Sequence, residues 1–137
     1  MIDHLSIYAR DFAAARSFYE AVFAPLGHSI QVEFGMEDDA EFPGRRVCAF
    51  GSDEKATFWI IETRKQVSGR HIAFTASDHR SVNEFHRIAL QCGGRDNGAP
   101  GFRPEYHSGY YASFIIDPDG NDIEAVCHQA NGTQDVD

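Results

Sequence analysis

Cysteine is scarce in this sequence, and the cysteines that are present form no recognisable pair. Cys48, Cys92 and Cys127 lie far apart, are odd in number and include no Cys-x-x-Cys spacing. This distribution argues against a disulfide framework, on which many small secreted domains depend. We therefore expect a reducing, cytoplasmic setting, with all three thiols buried as small apolar side chains.

Positive charge and long apolar runs are also lacking. Twelve Lys and Arg residues stand against 21 Asp and Glu, which gives a net charge of −9 at pH 7. Without a basic stripe, nucleic acids and anionic membranes are poor partners on electrostatic grounds. No apolar run approaches the roughly 20 residues of a membrane span, and the start "MIDHLSIYARD" has no signal-peptide pattern. We therefore expect no nucleic-acid partner and no membrane partner.

The sequence does contain an internal repeat. Residues 3–27 align with residues 70–94 at a constant offset of 67 positions. The identical pairs are His4 with His71, Ala9 with Ala76, Asp11 with Asp78, Phe18 with Phe85 and Gly27 with Gly94. In each copy a strand pattern is followed by an aspartate suited to cap a helix, an apolar helical face and a glycine suited to end it.

More strands are predicted after each helix, so that each copy has the order β-α-β-β-β. The predicted strands cover 28–34, 45–51 and 56–63 in the first copy, and 95–97, 110–116 and 122–128 in the second. The Gly- and Pro-rich residues 97–109 are expected to form a long loop. We predict one α+β domain over 1–129, with module 1 at 1–66 and module 2 at 70–129, followed by a disordered tail at 130–137.

Three residues of the predicted strands suggest a metal site. His4 and His71 occupy equivalent positions of the two repeats, and Glu124 interrupts an apolar strand in "FIIDPDGNDIEAVCH". Two imidazoles and one carboxylate facing one cavity form a divalent-metal site with positions open for water and substrate. Simpler interpretations stay open at this point: a histidine at a strand start is often exposed and inert, and Glu124 could point to solvent from a sheet with one wet face.

The paired modules, the two histidines and the segment "DPDGNDIEAV" resemble the vicinal oxygen chelate superfamily. This group contains glyoxalases, bleomycin- and fosfomycin-resistance proteins and extradiol dioxygenases, and the resemblance is closest to small single-chain bacterial glyoxalase-family proteins. It implies a half-open, eight-stranded barrel built from two βαβββ modules, and a homodimer. It also implies a divalent ion (Zn, Ni, Fe or Mn) bound by His4, His71 and Glu124. The implied partner is a small-molecule substrate with adjacent oxygens, converted by lyase, isomerase or dioxygenase chemistry.

The sequence departs from the glyoxalase pattern at one position. Glyoxalases proper have a fourth ligand, a carboxylate in the last strand of the first module, where this chain has Trp59 or Ile60. Glu62 lies two residues beyond Ile60, roughly 6–7 Å along a strand, and we expect it not to bind. The resemblance therefore implies a three-ligand site. A metal-free protein of the bleomycin-resistance type, which binds a small molecule or drug, is the alternative.

The predicted loop and its flanks supply the remaining candidates, which are Arg103, Tyr106, His107, Tyr110 and Tyr111. We predict that Tyr111 and His107 are catalytic, by stabilising an oxyanion or transferring a proton. We predict that Arg103, Tyr110 and Trp59 contact the substrate. The alternative to a functional role is that each tyrosine packs its ring against the protein and leaves its hydroxyl in water, and we favour this alternative for Tyr106. The other histidines are expected at the surface, namely His28, His79, His86 and His128.

Overall fold

The computed structural model describes residues 1–129 and contains two copies of one β-α-β-β-β module. The first module comprises β1 (Leu5–Ala9), α1 (Phe12–Phe23), a 3-10 turn (Ala24–Leu26), β2 (Ser29–Met36), β3 (Arg45–Gly51) and β4 (Phe58–Glu62). The second comprises β5 (His71–Thr75), α2 (His79–Gln91), β6 (Arg95–Phe102), β7 (Tyr111–Ile116) and β8 (Asp122–Cys127). The predicted α+β class and the two βαβββ modules are confirmed, and the predicted tail at 130–137 lies outside the described residues.

The local sequence explains where each helix begins. The Asp11 carboxylate accepts a hydrogen bond from the Ala14 amide at 3.1 Å, and the Asp78 carboxylate accepts one from the Ser81 amide at 2.8 Å. These bonds satisfy amides of the first turn that have no partner inside the helix. Gly27 ends the first helical segment at φ +85°, a left-handed conformation that glycine adopts without strain. Neither helix within residues 1–129 combines the length and apolar character that crossing a bilayer requires.

Each module forms its own four-stranded sheet. The strand order is β1-β4-β3-β2 in the first and β5-β8-β7-β6 in the second. The first strand of each module runs parallel to the last, and the remaining neighbours are antiparallel. Within residues 1–129 the eight strands form two separate sheets, and these are not closed into one barrel.

One face of each sheet, called here the inner face, packs against the helices in a core that both modules share. Aromatic rings join the modules there: Phe74 of β5 lies 4.9 Å from Phe23 and 5.3 Å from Phe58 between ring centroids. A buried Phe side chain contributes roughly 1.5–3 kcal/mol to the free energy of unfolding. The opposite face of each sheet is called the outer face.

Strand β6 is longer than predicted. It covers Arg95–Phe102 rather than 95–97, so the expected loop at 97–109 is shortened at its start. Pro100 fits because β6 is an edge strand, where a missing amide hydrogen need not break the ladder. Register shifts on both sides of Gly98 absorb the irregular pairing with β7. The Gly and Pro signals here mark a bulged edge strand.

Two of the three cysteines are buried as predicted. Cys48 and Cys127 lie in the core, and burial raises the pKa of the Cys48 thiol to about 12, so that this thiol stays protonated at neutral pH. Cys92 is exposed, and the prediction for it was wrong. It caps the C-terminal end of α2, beyond the helical face that packs on the sheet.

Two histidines predicted at the surface are buried. His79 is 8% exposed and His86 is 9% exposed. The His79 ring stacks on Tyr111 at 3.9 Å, and His86 Nε2 lies 2.8 Å from a carboxylate oxygen of Asp96. These partners offset the loss of hydration that burial of an imidazole entails.

A buried carboxylate organises the turn between β7 and β8. Asp117 is 3% exposed and accepts hydrogen bonds from the amides of Asp119 (2.9 Å) and Asn121 (2.8 Å). Its second oxygen accepts the Tyr19 hydroxyl of α1 and the Asn121 side-chain amide. The pKa of Tyr19 is raised well above its usual value, chiefly by burial and secondly by the adjacent charge of Asp117. Because a one-residue slip of β8 would turn Glu124 to the inner face, this network fixes the face on which Glu124 lies.

Removing this carboxylate should destabilise the whole fold. In Asp117→Ala several buried donors lose their acceptor, and we expect the free energy of unfolding to fall by about 2–4 kcal/mol in urea titrations. Tyr19→Phe keeps the ring and removes one hydrogen bond, so a loss of about 1 kcal/mol is expected. Tyr8→Phe, at a tyrosine that is 42% exposed, is the matched control and should be nearly neutral. An Asp117→Ala protein as stable as the parent would contradict this role.

Candidate functional site

The outer face of the second sheet carries a cluster of polar side chains. In the register of the strands, Glu124 of β8 stands opposite Ala73 of β5 and Phe114 of β7, so these side chains share one face. The neighbours of Glu124 in β8, Ile123 and Ala125, are buried in the core on the inner face. An open depression of about 460 Å³ lies here, lined by His71, Tyr106, Tyr110, Phe114, Asp122 and Glu124. We call this set of six residues the second-module site.

Glu124 is a buried carboxylate with two partners. It is only 2% exposed, and its two oxygens face different side chains. Oε1 lies 3.2 Å from His71 Nε2, and Oε2 accepts the Tyr110 hydroxyl. The pKa of Tyr110 is raised to about 12, chiefly by burial and secondly by the hydrogen bond to Glu124. An isolated buried carboxylate would be very unfavourable, and these contacts explain how the strand accommodates one.

The hydrogen bonds of His71 determine which of its nitrogens is available. Nδ1 lies 3.1 Å from the Asp122 carbonyl and 3.2 Å from Asp122 Oδ2, and both of these atoms are acceptors. Nδ1 therefore carries a hydrogen, and Nε2 is the nitrogen that faces Glu124. An unprotonated Nε2 and a carboxylate oxygen at 3.2 Å would be two acceptors facing each other. A hydrogen or a cation between these two atoms would remove that repulsion.

These two donors fit a divalent cation. The two donor atoms are 3.2 Å apart. If each were bonded to one ion at about 2.1 Å, the angle between the two bonds would be roughly 100°, which lies between the octahedral and tetrahedral values. The contact from His71 Nδ1 to Asp122 is the kind of outer contact that orients a metal-binding imidazole. The remaining oxygen, Asp122 Oδ1, is buried and has no hydrogen-bond partner within residues 1–129.

His4 is not part of this cluster within the chain. It directly precedes β1, its Nδ1 lies 2.6 Å from the Asp3 carboxylate, and its ring is 6.3 Å from Trp59. In the part of the chain that the structure describes, no three His, Cys, Asp or Glu side chains are grouped to hold one ion. Since both inner faces belong to one core, the two outer faces point away from each other in the described part of the chain.

The strand register decides between Trp59 and Ile60 at the position of the missing ligand. Leu5 pairs with Phe58, so the residue opposite His4 is the one before Phe58, and Trp59 lies two positions after it. In the second module, Glu124 likewise lies two positions after the residue opposite His71. Ile60 is fully buried in the core. Trp59 is therefore the counterpart of Glu124.

Glu62 points away from the candidate ligands. Alternation along β4 puts it on the side opposite Trp59, where Arg46 donates to it from its backbone amide (2.9 Å) and its guanidinium (2.8 Å). The hydrogen bond from Arg46 lowers the pKa of Glu62. Its carboxylate is thus held by Arg46 on the inner side of the sheet.

The structure separates the tyrosines that the sequence places together. Tyr110 reaches Glu124, and Tyr106 lines the same depression with its ring 4.9 Å from Tyr110. Tyr111 lies on the inner side: its hydroxyl donates to Asn83 of α2 at 2.7 Å and its ring stacks on His79. Tyr110 and Tyr106 therefore belong to the second-module site, and Tyr111 does not.

The other loop candidates lie at the margin of this site. His107 is close to Tyr110, with ring centroids 5.2 Å apart, but its Nε2 faces His128 Nδ1 at 3.0 Å. The Arg103 guanidinium donates to the carbonyls of Gly101 and Ala99 at 2.8 and 2.7 Å. The same guanidinium lies 5.4 Å above the Phe114 ring. Arg103 thus supports one wall of the depression.

Two lining residues, Asp122 and Phe114, were not among the sequence candidates. The period-2 alternation of β8 could have identified Asp122, which precedes Glu124 by two positions and so has the same facing. Phe114 could not be found in this way, because its proximity to His71 depends on pairing between β7 and β8.

Comparison with known proteins identifies the family. The family model of the Glyoxalase/Bleomycin resistance protein/Dioxygenase superfamily matches residues 1–125, and the chain belongs to this superfamily. Comparison with curated proteins gives no match.

Solved structures of the family share the fold. A glyoxalase/bleomycin resistance protein from Albidiferax ferrireducens T118 superposes with a TM-score of 0.68 at 23% identity, covering 90% of this chain and 95% of that one. A lactoylglutathione lyase from Agrobacterium tumefaciens superposes with a TM-score of 0.62 at 20% identity, covering 93% of this chain and 92% of that one. An E144Q mutant of glyoxalase I from Zea mays gives 0.70 at 16% identity over 97% of this chain and 48% of that one. At these identities the likeness establishes the fold alone.

The contact between Tyr110 and Glu124 makes a testable prediction. With a pKa of about 12, Tyr110 should be only about one tenth ionised at pH 11, whereas an ordinary tyrosine with a pKa near 10 is about nine tenths ionised. The difference in tyrosinate absorbance between the parent and Tyr110→Phe at pH 11, with folding checked by circular dichroism, measures this fraction. Because the pKa of Tyr110 is higher in the folded state than in the unfolded state, this tyrosine stabilises the fold. The contribution is fully present below about pH 10 and is lost as the pH rises towards 12. A difference of one full tyrosinate at pH 11 would contradict the contact.

Proposed function

We propose that the protein is a metal-dependent enzyme that acts on a small molecule with two adjacent oxygens. The observation that carries the proposal is the pair His71 Nε2 and Glu124 Oε1, 3.2 Å apart on an outer face, beside a depression of about 460 Å³. The fold shared with proteins named lactoylglutathione lyase and glyoxalase I supports an enzymatic role. A divalent ion held by these residues would act as a Lewis acid on the substrate oxygens.

We further propose that a homodimer supplies the third ligand, His4 of a second copy. His4 and His71 stand at equivalent positions of two related strands, and each adjoins an outer face. The outer face of the first module carries large apolar side chains that a partner would cover: Tyr8, Phe34 and Met36 are 42%, 46% and 39% exposed. Exposed apolar surface of this kind is typical of an interface. Pairing of the first outer face with the second outer face of another chain would bring His4 towards His71 and Glu124.

The residues of the second-module site have distinct proposed roles. Glu124 and His71 hold the ion, and Asp122 keeps the His71 ring oriented through its Nδ1 hydrogen. Tyr110 is protonated at neutral pH, as a tyrosine of ordinary pKa also is, so it can donate a hydrogen bond or a proton to an oxyanion that develops on the substrate. Phe114 and Tyr106 form the wall against which the carbon skeleton packs.

The second candidate function is metal-free binding of a small molecule. Trp59 occupies the position equivalent to Glu124, and Phe34 lies 6.3 Å from it in an edge-to-face arrangement. These two rings, of which Trp59 adjoins His4, offer a stacking surface for a flat or cationic ligand. The net charge of −9 favours a cation. This candidate requires no ion at His71 and Glu124.

Metal titration separates the two candidates. We expect about one equivalent of Zn²⁺, Ni²⁺, Mn²⁺ or Fe²⁺ per chain in calorimetry and elemental analysis, as one three-ligand site would bind. His71→Ala and Glu124→Ala should each remove this binding, because each deletes a ligand. His128→Ala removes an exposed histidine that does not line the site, and should bind as the parent does. Failure of all four ions to bind the parent would favour the metal-free candidate.

Mixing two inactive variants tests whether the site forms between chains. A His4→Ala chain and a Glu124→Ala chain each lack a ligand, so each homodimer should bind no metal. In a mixed dimer, one of the two sites would have His4 from the second chain and His71 with Glu124 from the first, all intact. After unfolding and refolding together at equal concentrations, random pairing should restore about a quarter of an equivalent per chain. If both variants fold and dimerise but mixing restores nothing, a site between two chains is excluded.

A further inference from the structure

A second cavity lies where the first module leads into the second. The linker, residues 63–70, joins β4 to β5, and its residues 63–67 line this cavity together with Tyr8 of β1 and Phe42 of the segment between β2 and β3. The cavity volume of about 440 Å³ is within the range of sites that hold small organic molecules. Tyr8, Phe42 and Val67 give it apolar walls. Residues 64–66 are exposed, so the cavity is accessible to solvent from the linker side.

The charge that lines this cavity is opposite to that of the chain as a whole. The lining has one carboxylate, Glu41, and three cations, Arg45, Arg64 and Lys65, whereas the chain carries a net charge of −9. Arg45 is already paired, since its Nε lies 3.2 Å from a carboxylate oxygen of Asp39. Lys65 is paired with Glu41, at 3.3 Å between Nζ and Oε2. Arg64 is the remaining cation, and within residues 1–129 no carboxylate forms an ion pair with it.

The Arg64 guanidinium is held in place by an aromatic ring. It lies 3.7 Å from the centroid of the Phe42 ring, at the distance of a close cation–π contact. The Arg45 guanidinium lies 5.2 Å from the same centroid and donates to the Glu62 carbonyl at 2.7 Å, so it fixes Phe42 in turn. Stacking uses the face of the Arg64 guanidinium and leaves the N–H groups at its edge, and none of these donates to an acceptor within residues 1–129. An oriented guanidinium with free donors suits a planar anion with two oxygens.

We propose that this cavity binds a small carboxylate that carries an apolar ring, of which benzoate is the simplest example. Arg64 would donate to both carboxylate oxygens, and the ring would pack against Tyr8 and Val67. One cation without a partner matches a singly charged anion, whereas a second negative charge would lie beside carboxylates with no cation to pair with it. The inference goes beyond the proposed metal site. Tyr8 follows His4 by four residues, roughly 13 Å along a strand, so a small molecule at Arg64 would not contact an ion held by His4.

Benzoate is the probe, and benzamide, which has the same ring and no charge, is its matched control. In a titration followed by NMR of ¹⁵N- and ¹³C-labelled protein, we expect saturable benzoate shifts at Arg64 and Val67, and none at His71 or Tyr110. Benzamide should bind roughly tenfold more weakly or worse, because it cannot form charge-assisted hydrogen bonds. Inorganic phosphate has no ring and should also bind more weakly than benzoate. Glu124→Ala should bind benzoate as the parent does, which separates this site from the proposed metal site.

Arg64→Gln tests the assigned donor. It removes the charge at an exposed position, so the fold should be retained and benzoate affinity should fall roughly tenfold or more. Benzamide should bind the parent and Arg64→Gln nearly equally, which verifies that the variant retains the cavity. Arg95→Gln makes the same change of net charge at an exposed arginine of β6 outside the cavity, and should leave benzoate affinity unchanged. Absence of saturable benzoate shifts, shifts centred on Tyr110, benzamide or phosphate binding as tightly as benzoate, or equal benzoate affinity of Arg64→Gln and the parent would each overturn the proposal.

Discussion

The shared core between the two sheets is the constraint on which the rest of this structure depends. Each inner face packs against the helix of its own module, the two helices pack against each other, and the rings of Phe23, Phe58 and Phe74 join the modules across that layer. Because side chains alternate along a strand, burying one set of residues commits the neighbouring set to an outer face. The same packing that brings the modules together therefore directs their candidate ligands away from each other.

The two outer faces differ in chemistry although the modules share one plan. The second module has a carboxylate, Glu124, in contact with both an imidazole, His71, and a tyrosine, Tyr110. The first has His4 beside Trp59 and a strip of exposed apolar residues. One face therefore offers charged donor atoms, and the other offers a single imidazole and a surface that excludes water. Such faces complement each other, which explains why a site formed between two copies is physically reasonable.

Much of the fold could be predicted from the sequence because local signals agreed with one another. Asp11, Asp78 and Gly27 mark helix boundaries in the structure as they do in the sequence, and the offset of 67 residues between the repeats identified the two modules. The error at β6 arose because Gly98 and Pro100 are turn signals locally, whereas an edge strand tolerates both.

The site was less predictable because it depends on contacts between strands. The sequence indicated Glu124 and His71, but not that Tyr110 reaches Glu124 while the adjacent Tyr111 packs against Asn83. That difference follows from the register of β7 on β8. Nor could the sequence indicate that His4 would be separated from His71 and Glu124, since this depends on how the modules pack.

The central claim is that a divalent ion is held by His71 and Glu124 of one chain and His4 of another. A crystal structure of the metal-loaded protein, with the ion located by its anomalous scattering, tests it most directly. We predict one anomalous peak between His71 Nε2 and Glu124 Oε1, with the imidazole of His4 from a second copy completing the ligands. A peak with His4 of the same chain, or crystals grown with excess metal that show no ion at Glu124, would contradict the claim.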